Sequence, residues 1–188
     1  VAYLSHVPFQ PLYGGMKEDE LIAHTFVKFV ETGNPDWPLL LPMVKAAHRA
    51  MDTMQDYVRR TSKIDIDGFV VGGASKRGWT TWLTGATDPR VKGIVPMVID
   101  VLNMAPQMEH QRASFGGYSE EIEDYSNRGL QQLLSSPAGQ SLTAIVDPYN
   151  YRPLLTLPKL IVLGANDRYW PADALNLYWD ELEGEKHV

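Results

Sequence analysis

One serine lies where a strand-like segment meets a helix-like segment, between glycines. The apolar run 69–71 stops at two glycines, and Ser75 comes just before a helix-like stretch that starts at Lys76. Such a turn pushes the serine Oγ out of the sheet, and small neighbours let the backbone turn without a Cβ clash. The helix start supplies free N–H groups and a positive dipole end. This serine turn, residues 72–78, therefore predicts either a nucleophile or an anion-binding loop.

The order of residues in the serine turn argues against phosphate chemistry. A Walker loop places lysine before Ser or Thr, whereas Ser75 precedes Lys76 here. The glycines do not have the spacing of a dinucleotide fingerprint either. The nucleophile pattern Gly-x-Ser-x-Gly matches at Gly73 and Ser75, but Arg77 takes the place of the last glycine, and Gly78 comes one position late. A strand–helix turn that merely contains serine remains the alternative.

Composition limits the classes of function. The chain has 188 residues, 44% apolar and 21% charged, which is typical of one globular domain. A net charge of −6 argues against nucleic acid or an anionic membrane as partner. We find no apolar stretch that approaches a membrane span and no cofactor loop or metal cluster. The absence of cysteine excludes thiolate catalysis and disulfides and leaves the compartment open.

The order of elements predicts an α/β fold with a doubly wound, mostly parallel sheet. We expect strands at 1–7, up to the serine turn, at 91–99 and at 157–164, with helices near 18–31, 41–59 and 172–182. The near-continuous apolar run 91–99 is typical of a strand buried on both faces. The chain opens inside a strand-like run, and another strand begins near its last residues. We therefore expect residues 1–188 to be a single but partial domain.

Three side chains fall at the carboxyl ends of predicted strands, where such sheets place their ligands and catalytic groups. They are Ser75, Asp100 after the run 91–99, and Asp167 in a loop after the run 157–164. Asp167 suits the chain order serine, acid, histidine of a hydrolase triad. A turn or helix-capping role is its alternative. For Asp100 we favour a supporting role, in which its carboxylate holds the loop 101–104.

The general base is the member of a serine–acid–histidine triad that the predicted elements do not supply. His24 and His48 fall within predicted helices, and His110 lies between two strands. His6 precedes the serine, and His187 falls at the start of the next strand, away from the serine end of the sheet. We expect the triad histidine to lie beyond the last residue of the chain.

Several segments together resemble the PhoPQ-activated pathogenicity-related family. They are the stretches 7–12, 41–52, 73–79, 94–104, 164–167 and 170–175, so the likeness covers essentially the whole chain. The resemblance implies an α/β-hydrolase-like fold. The serine turn is similar to those of acetyl xylan and glucuronoyl esterases, which also place the glycine one position late.

By this resemblance, the family serine corresponds to Ser75, its acid to Asp167, and one oxyanion donor to the backbone N–H of Lys76. Its histidine falls in a Pro-Asn-x-x-His-Gly type segment that this sequence does not reach, so the fragment should be inactive alone. The family also implies a periplasmic or secreted location, but no settled substrate.

The long connection at 103–156 predicts a helical cap or lid inserted in the domain, which we call the cap segment. Its tyrosines either line a pocket or pin the cap to the core. Two functions stay open: a serine hydrolase of esters or amides without cofactor or metal, and a non-catalytic binding or secreted signalling protein on a hydrolase scaffold.

Overall fold

A four-stranded parallel sheet organises the protein in the computed structural model, which describes residues 1–188. The strands are β1 (Phe69–Ala74), β2 (Val91–Met97), β3 (Lys159–Leu160) and β4 (Lys186–His187), and they lie side by side in that order. Ile94 sets the register, since it pairs with Val71 on one side and with Lys159 on the other. The predicted α/β-hydrolase-like fold with its mostly parallel sheet is confirmed.

Seven α-helices surround or extend from this sheet. They are α1 (Glu18–Thr32), α2 (Leu40–Ser62), α3 (Lys76–Thr87), α4 (Met104–Phe115), α5 (Glu123–Ser126), α6 (Leu130–Leu133) and α7 (Pro137–Val146). Helices α4 to α7 all fall within the cap segment. Short 3-10 turns at Glu120–Ile122, Pro148–Leu154, Ala174–Leu177 and Trp179–Glu181 complete the connections.

Helix α3 lies at the centre of the core, because it packs along both β1 and β2. Trp82 on α3 is fully buried, and its ring meets that of Tyr178 edge to face at 6.5 Å. Gly85 allows the helix to approach the sheet closely, since a Cβ there would lie 2.9 Å from Ile94 Cγ2. This packing fixes the helix start, and with it the position of Ser75.

Two predicted elements are wrong. Residues 1–6 are exposed and form no strand, because no strand of the sheet lies beside them to accept their hydrogen bonds. The expected helix at 172–182 is replaced by two 3-10 turns separated at Tyr178, whose φ of −148° interrupts any helix. Tyr178 takes this conformation with its side chain buried and its hydroxyl on Asp100.

The expected strand at 157–164 is shorter than predicted. Only Lys159 and Leu160 form β3, although Val162 bridges Met97 and so continues the contact with β2. Val98 also donates its N–H to the Val162 carbonyl at 2.7 Å. The loop that carries Asp167 therefore leaves the sheet beside the end of β2.

Candidate active site

Ser75 occupies a strained backbone conformation at the junction of β1 and α3. Its φ of 54° and ψ of −126° fall in a region that side-chain-bearing residues rarely adopt. Its N–H donates to the Met97 carbonyl at 2.9 Å, which ties the turn to the end of β2. Ser75 is the residue before α3, yet its hydroxyl neither caps the helix nor bonds any other group of the chain. Serine at this position commonly caps the helix, so the Ser75 hydroxyl leaves its usual structural partner unused.

Two glycines make the serine turn possible. A Cβ on Gly73 would lie 2.7 Å from the Arg77 carbonyl oxygen, inside any allowed contact. A Cβ on Gly78 would lie 2.9 Å from the carbonyl oxygens of Gly73 and Met97 and 2.7 Å from Ile99 Cγ2. The glycine that comes one position late is therefore the point where α3 touches the backbone of β1 and the end of β2.

Lys76 supplies the backbone donor nearest to the serine hydroxyl along the chain. As the first residue of α3, it has no carbonyl one turn earlier in the helix to accept its N–H. This N–H and the helix dipole suit an oxyanion that forms beside Ser75. The Lys76 side chain turns away into the protein, where it is buried and donates from Nζ to Asp19 Oδ2 at 2.6 Å.

Charged side chains bind the serine turn to the start of α1. Arg77 donates to both carboxylate oxygens of Glu18, at 2.6 and 2.9 Å. These hydrogen bonds lower the pKa of Glu18 from 4.5 to about 2, against an opposing contribution from burial. Asp19 bonds Lys76 and also accepts from the Tyr125 hydroxyl at 2.9 Å. The sequence offered one signal for this network, the acidic run 18–20 at a helix start, which by itself indicates only a favourable helix dipole.

Asp100 and Asp167 lie close enough to influence each other. Burial raises the pKa of Asp100 from 3.8 to about 6; the Tyr178 hydroxyl that donates to it lowers the value, and the Asp167 charge raises it. Asp167 is half-buried in a tight turn, where its N–H donates to the Gly164 carbonyl and its Oδ1 accepts from the Tyr169 N–H. No basic side chain pairs with Asp167, and its second oxygen is free of hydrogen bonds within the chain. That oxygen is available to an imidazole N–H.

None of the five histidines lines the pocket that holds Ser75. His24 packs against the rings of Tyr13 and Trp37, and His110 bonds Asp173. Each of the other three bonds a side chain outside this pocket: His6 bonds Ser5, His48 bonds Thr87, and His187 bonds Glu185.

His187 has a defined place in the sheet. It pairs with Leu160 on β4, so β2 and β3 separate it from the strand that carries Ser75. Three strand spacings amount to about 14 Å. His187 therefore lies too far from the serine turn for a hydrogen bond to Ser75.

Ser75 lines a pocket that, together with the open solvent at its mouth, holds about 840 Å³. The core contributes Phe26, Trp79 and Trp170 to its wall, and the cap segment contributes Met104, Met108 and Leu142. Sixteen of its 21 lining residues are hydrophobic, so the wall is apolar apart from a few groups.

Lys76, Asp19 and Tyr125 also line this pocket, but they satisfy one another. Gln131 keeps one buried acceptor, Oε1, without a partner. The other end of its amide donates to Ser126 Oγ at 2.9 Å. Of the cap-segment tyrosines, for which the sequence left a pocket wall and an anchor both open, Tyr125 lines this pocket. Gln131 had no sequence signal.

A sequence profile of the PhoPQ-activated pathogenicity-related proteins matches residues 1–188. The chain belongs to that family. The matched region therefore covers the whole candidate site, from the acidic residues of α1 that hold the serine turn to the loop of Asp167. Autocrine proliferation repressor protein A of Dictyostelium discoideum is 39% identical over 193 residues, which cover 98% of this chain and 39% of that protein. The chain thus spans well under half the length of this curated relative.

Solved structures of hydrolases share the fold. Acetyl xylan esterase 1 from Thermoanaerobacterium sp. JW/SL YS485 matches 86% of this chain and 49% of its own, with a TM-score of 0.58 and 16% identity. The acetyl xylan esterase from Paenibacillus sp. R4 matches 78% of this chain and 45% of its own, at 0.56 and 17%. The acylaminoacyl peptidase of Pyrococcus horikoshii matches 87% of this chain and 24% of its own, at 0.55 and 11%. At these identities the likeness establishes the scaffold.

Two features of the structure bear on membranes and metal ions. No helix combines the length and the apolar character that crossing a bilayer requires. No group of three or more histidine, aspartate or glutamate side chains is arranged to hold a metal ion.

Proposed function

We propose that this protein is a serine hydrolase of esters or amides, with Ser75 as the nucleophile. The observation that carries the proposal is the unbonded hydroxyl of Ser75, held at positive φ on a strand–helix turn that lines a pocket. As Oγ attacks a carbonyl carbon, its proton passes to the histidine base, which later gives it to the leaving alcohol or amine. The N–H of Lys76 donates to the oxyanion of the tetrahedral intermediate. Collapse of the intermediate expels the alcohol or amine, and water then releases the acyl group from Ser75.

Asp167 is the acid of this proposed triad, and Asp100 supports it from the neighbouring loop. The free oxygen of Asp167 can accept from an imidazole N–H, which fixes the histidine tautomer and stabilises the imidazolium. Asp100 already accepts from Tyr178, so its role is to hold the two loops together. Because all five histidines of the chain are placed elsewhere, the base comes from beyond Val188 in this proposal.

Labelling with a fluorophosphonate tests the nucleophile in the full-length protein. The serine oxygen displaces fluoride from phosphorus, so only an activated hydroxyl reacts. We expect the wild type to be labelled, Ser75→Ala to lose the label, and Ser62→Ala, on the exposed end of α2, to keep it. Failure of the folded wild type to label would remove the hydrolase assignment.

A second candidate function is a non-catalytic binding or signalling protein on the same scaffold. The name of the relative, an autocrine proliferation repressor, favours it, and a fold alone does not require turnover. The two candidates differ in what Ser75→Ala does. Signalling activity that survives this substitution supports the binding function, whereas activity that is lost together with fluorophosphonate labelling supports the hydrolase.

A further inference from the structure

The pocket behind Ser75 has the composition of an acyl-binding site. Its wall comes from both the core and the cap segment, and the rings of Trp79 and Trp170 contribute to it. Lys76, Asp19 and Tyr125 neutralise one another by hydrogen bonds, so they present no unpaired charge to an occupant. Apolar groups gain free energy when they leave water for such a wall, roughly in proportion to the area they bury.

We infer that this pocket binds the acyl part of the substrate, and that the preferred acyl group is a medium-length alkyl chain rather than acetyl. The inference rests on the proposed function, because it takes Ser75 as the group that meets the carbonyl. The apolar wall runs over side chains from both the core and the cap segment, so it offers far more contact surface than an acetyl methyl group can cover.

The cap segment closes this acyl site through two polar contacts with α1. Tyr125 on α5 donates to Asp19, and Arg128 lies 3.3 Å from Glu20. Asp19 in turn holds Lys76, the residue next to the nucleophile. The same side chains therefore position the apolar wall and the serine turn relative to each other.

Binding of unreactive amides tests the acyl site separately from catalysis. Acetamide, butanamide, hexanamide and octanamide are titrated into full-length Ser75→Ala protein, with tryptophan fluorescence as the readout because Trp79 and Trp170 line the pocket. We expect the dissociation constant to fall roughly two- to fourfold for each added methylene. Equal affinity for all four amides would overturn the inference.

A matched pair of variants locates the binding. Leu134 lines the pocket, whereas Leu154 is exposed and outside it. Leu134→Gln keeps the approximate volume and adds a polar group to the wall, so we expect octanamide to bind about tenfold more weakly. Leu154→Gln should leave its affinity unchanged. Equal effects of the two substitutions would place the amide elsewhere, and the chain-length series decides the matter if Leu134→Gln fails to fold.

The two proposals fail in different ways. Chain-length-dependent binding without fluorophosphonate labelling of the wild type would overturn the hydrolase assignment and support an apolar ligand site. Labelling of Ser75 together with faster turnover of 4-nitrophenyl acetate than of 4-nitrophenyl octanoate would overturn the acyl-site assignment and leave the hydrolase. We expect the octanoate ester to have the higher kcat/KM.

Discussion

Replacing Gly78 with alanine tests the packing that holds Ser75 in place. The added methyl would lie 2.7 Å from Ile99 Cγ2 and 2.9 Å from two backbone carbonyl oxygens, those of Gly73 and Met97. A side chain can rotate away, but the carbonyls belong to the ends of β1 and β2 and cannot. The start of α3 must therefore move away from the sheet, and Ser75 moves with it.

Two effects of opposite sign determine how much Gly78→Ala changes the free energy of unfolding. Alanine is favoured over glycine inside a helix by about 1 kcal/mol. Overpacking of a close contact costs about 1–3 kcal/mol, and more where backbone atoms are involved. Because all three contacts of the new Cβ of Gly78→Ala fall below 3.0 Å, we expect the clash to dominate. The net loss in free energy of unfolding should be about 1–3 kcal/mol.

Denaturant unfolding of the full-length protein measures this loss, with Gly117→Ala as the matched control. A Cβ at Gly117 meets no heavy atom within 4 Å, and its φ is not in the left-handed region, so stability should hold or rise by about 0.5 kcal/mol. Gly78→Ala should also label more slowly with a fluorophosphonate. A Gly78→Ala protein as stable and as reactive as the wild type would refute the argument that this glycine positions the nucleophile.

Three more substitutions probe the site through equilibrium unfolding. Ser75→Gly should be more stable than Ser75→Ala by about 1 kcal/mol, because glycine relieves the strain at φ 54°; equal stabilities would show that the turn is unstrained. Burial raises the pKa of Asp100 from 3.8 to about 6, so the folded state holds this proton more tightly. The free energy of unfolding then falls by up to about 3 kcal/mol as pH rises from about 4 to 6. Asp100→Asn should remove this pH dependence, and a variant with the wild-type pH profile would contradict the raised pKa of Asp100. Arg77 lowers the pKa of the part-exposed Glu18 to about 2, so Glu18→Gln should lower the free energy of unfolding by about 1 kcal/mol near neutral pH. This difference should disappear as pH falls from about 4.5 to 2. A difference that persists in acid would exclude the ion pair as its source.

Local sequence patterns predicted the parts of the site that depend on neighbouring residues. The serine turn combines an apolar strand, two close-approach glycines and a helix start, and all three are visible over ten residues. Asp100 and Asp167 were predicted as site residues because the carboxyl ends of parallel strands meet at one edge, and their roles stay a prediction. The structure explains the late Gly78 by its contact with two strand ends, which is a tertiary reason that residue spacing alone cannot give.

The rest of the site depends on contacts between distant residues. Asp19 and Tyr125 are 106 positions apart, and only the packing of α5 on α1 brings them together. The helix expected at 172–182 fails for a similar reason, because burial of Tyr178 against Asp100 outweighs local helix propensity. The strand expected at 1–7 has an apolar pattern, but no neighbouring strand pairs with it.

Mapping the site of a fluorophosphonate adduct tests the central claim most directly. The full-length protein is treated with the reagent, digested and sequenced by mass spectrometry. We expect the wild-type protein to carry one adduct, on the Oγ of Ser75, and the Ser75→Ala protein to carry none. A folded protein that carries no adduct, or carries it on another residue, would contradict the assignment of Ser75 as the nucleophile.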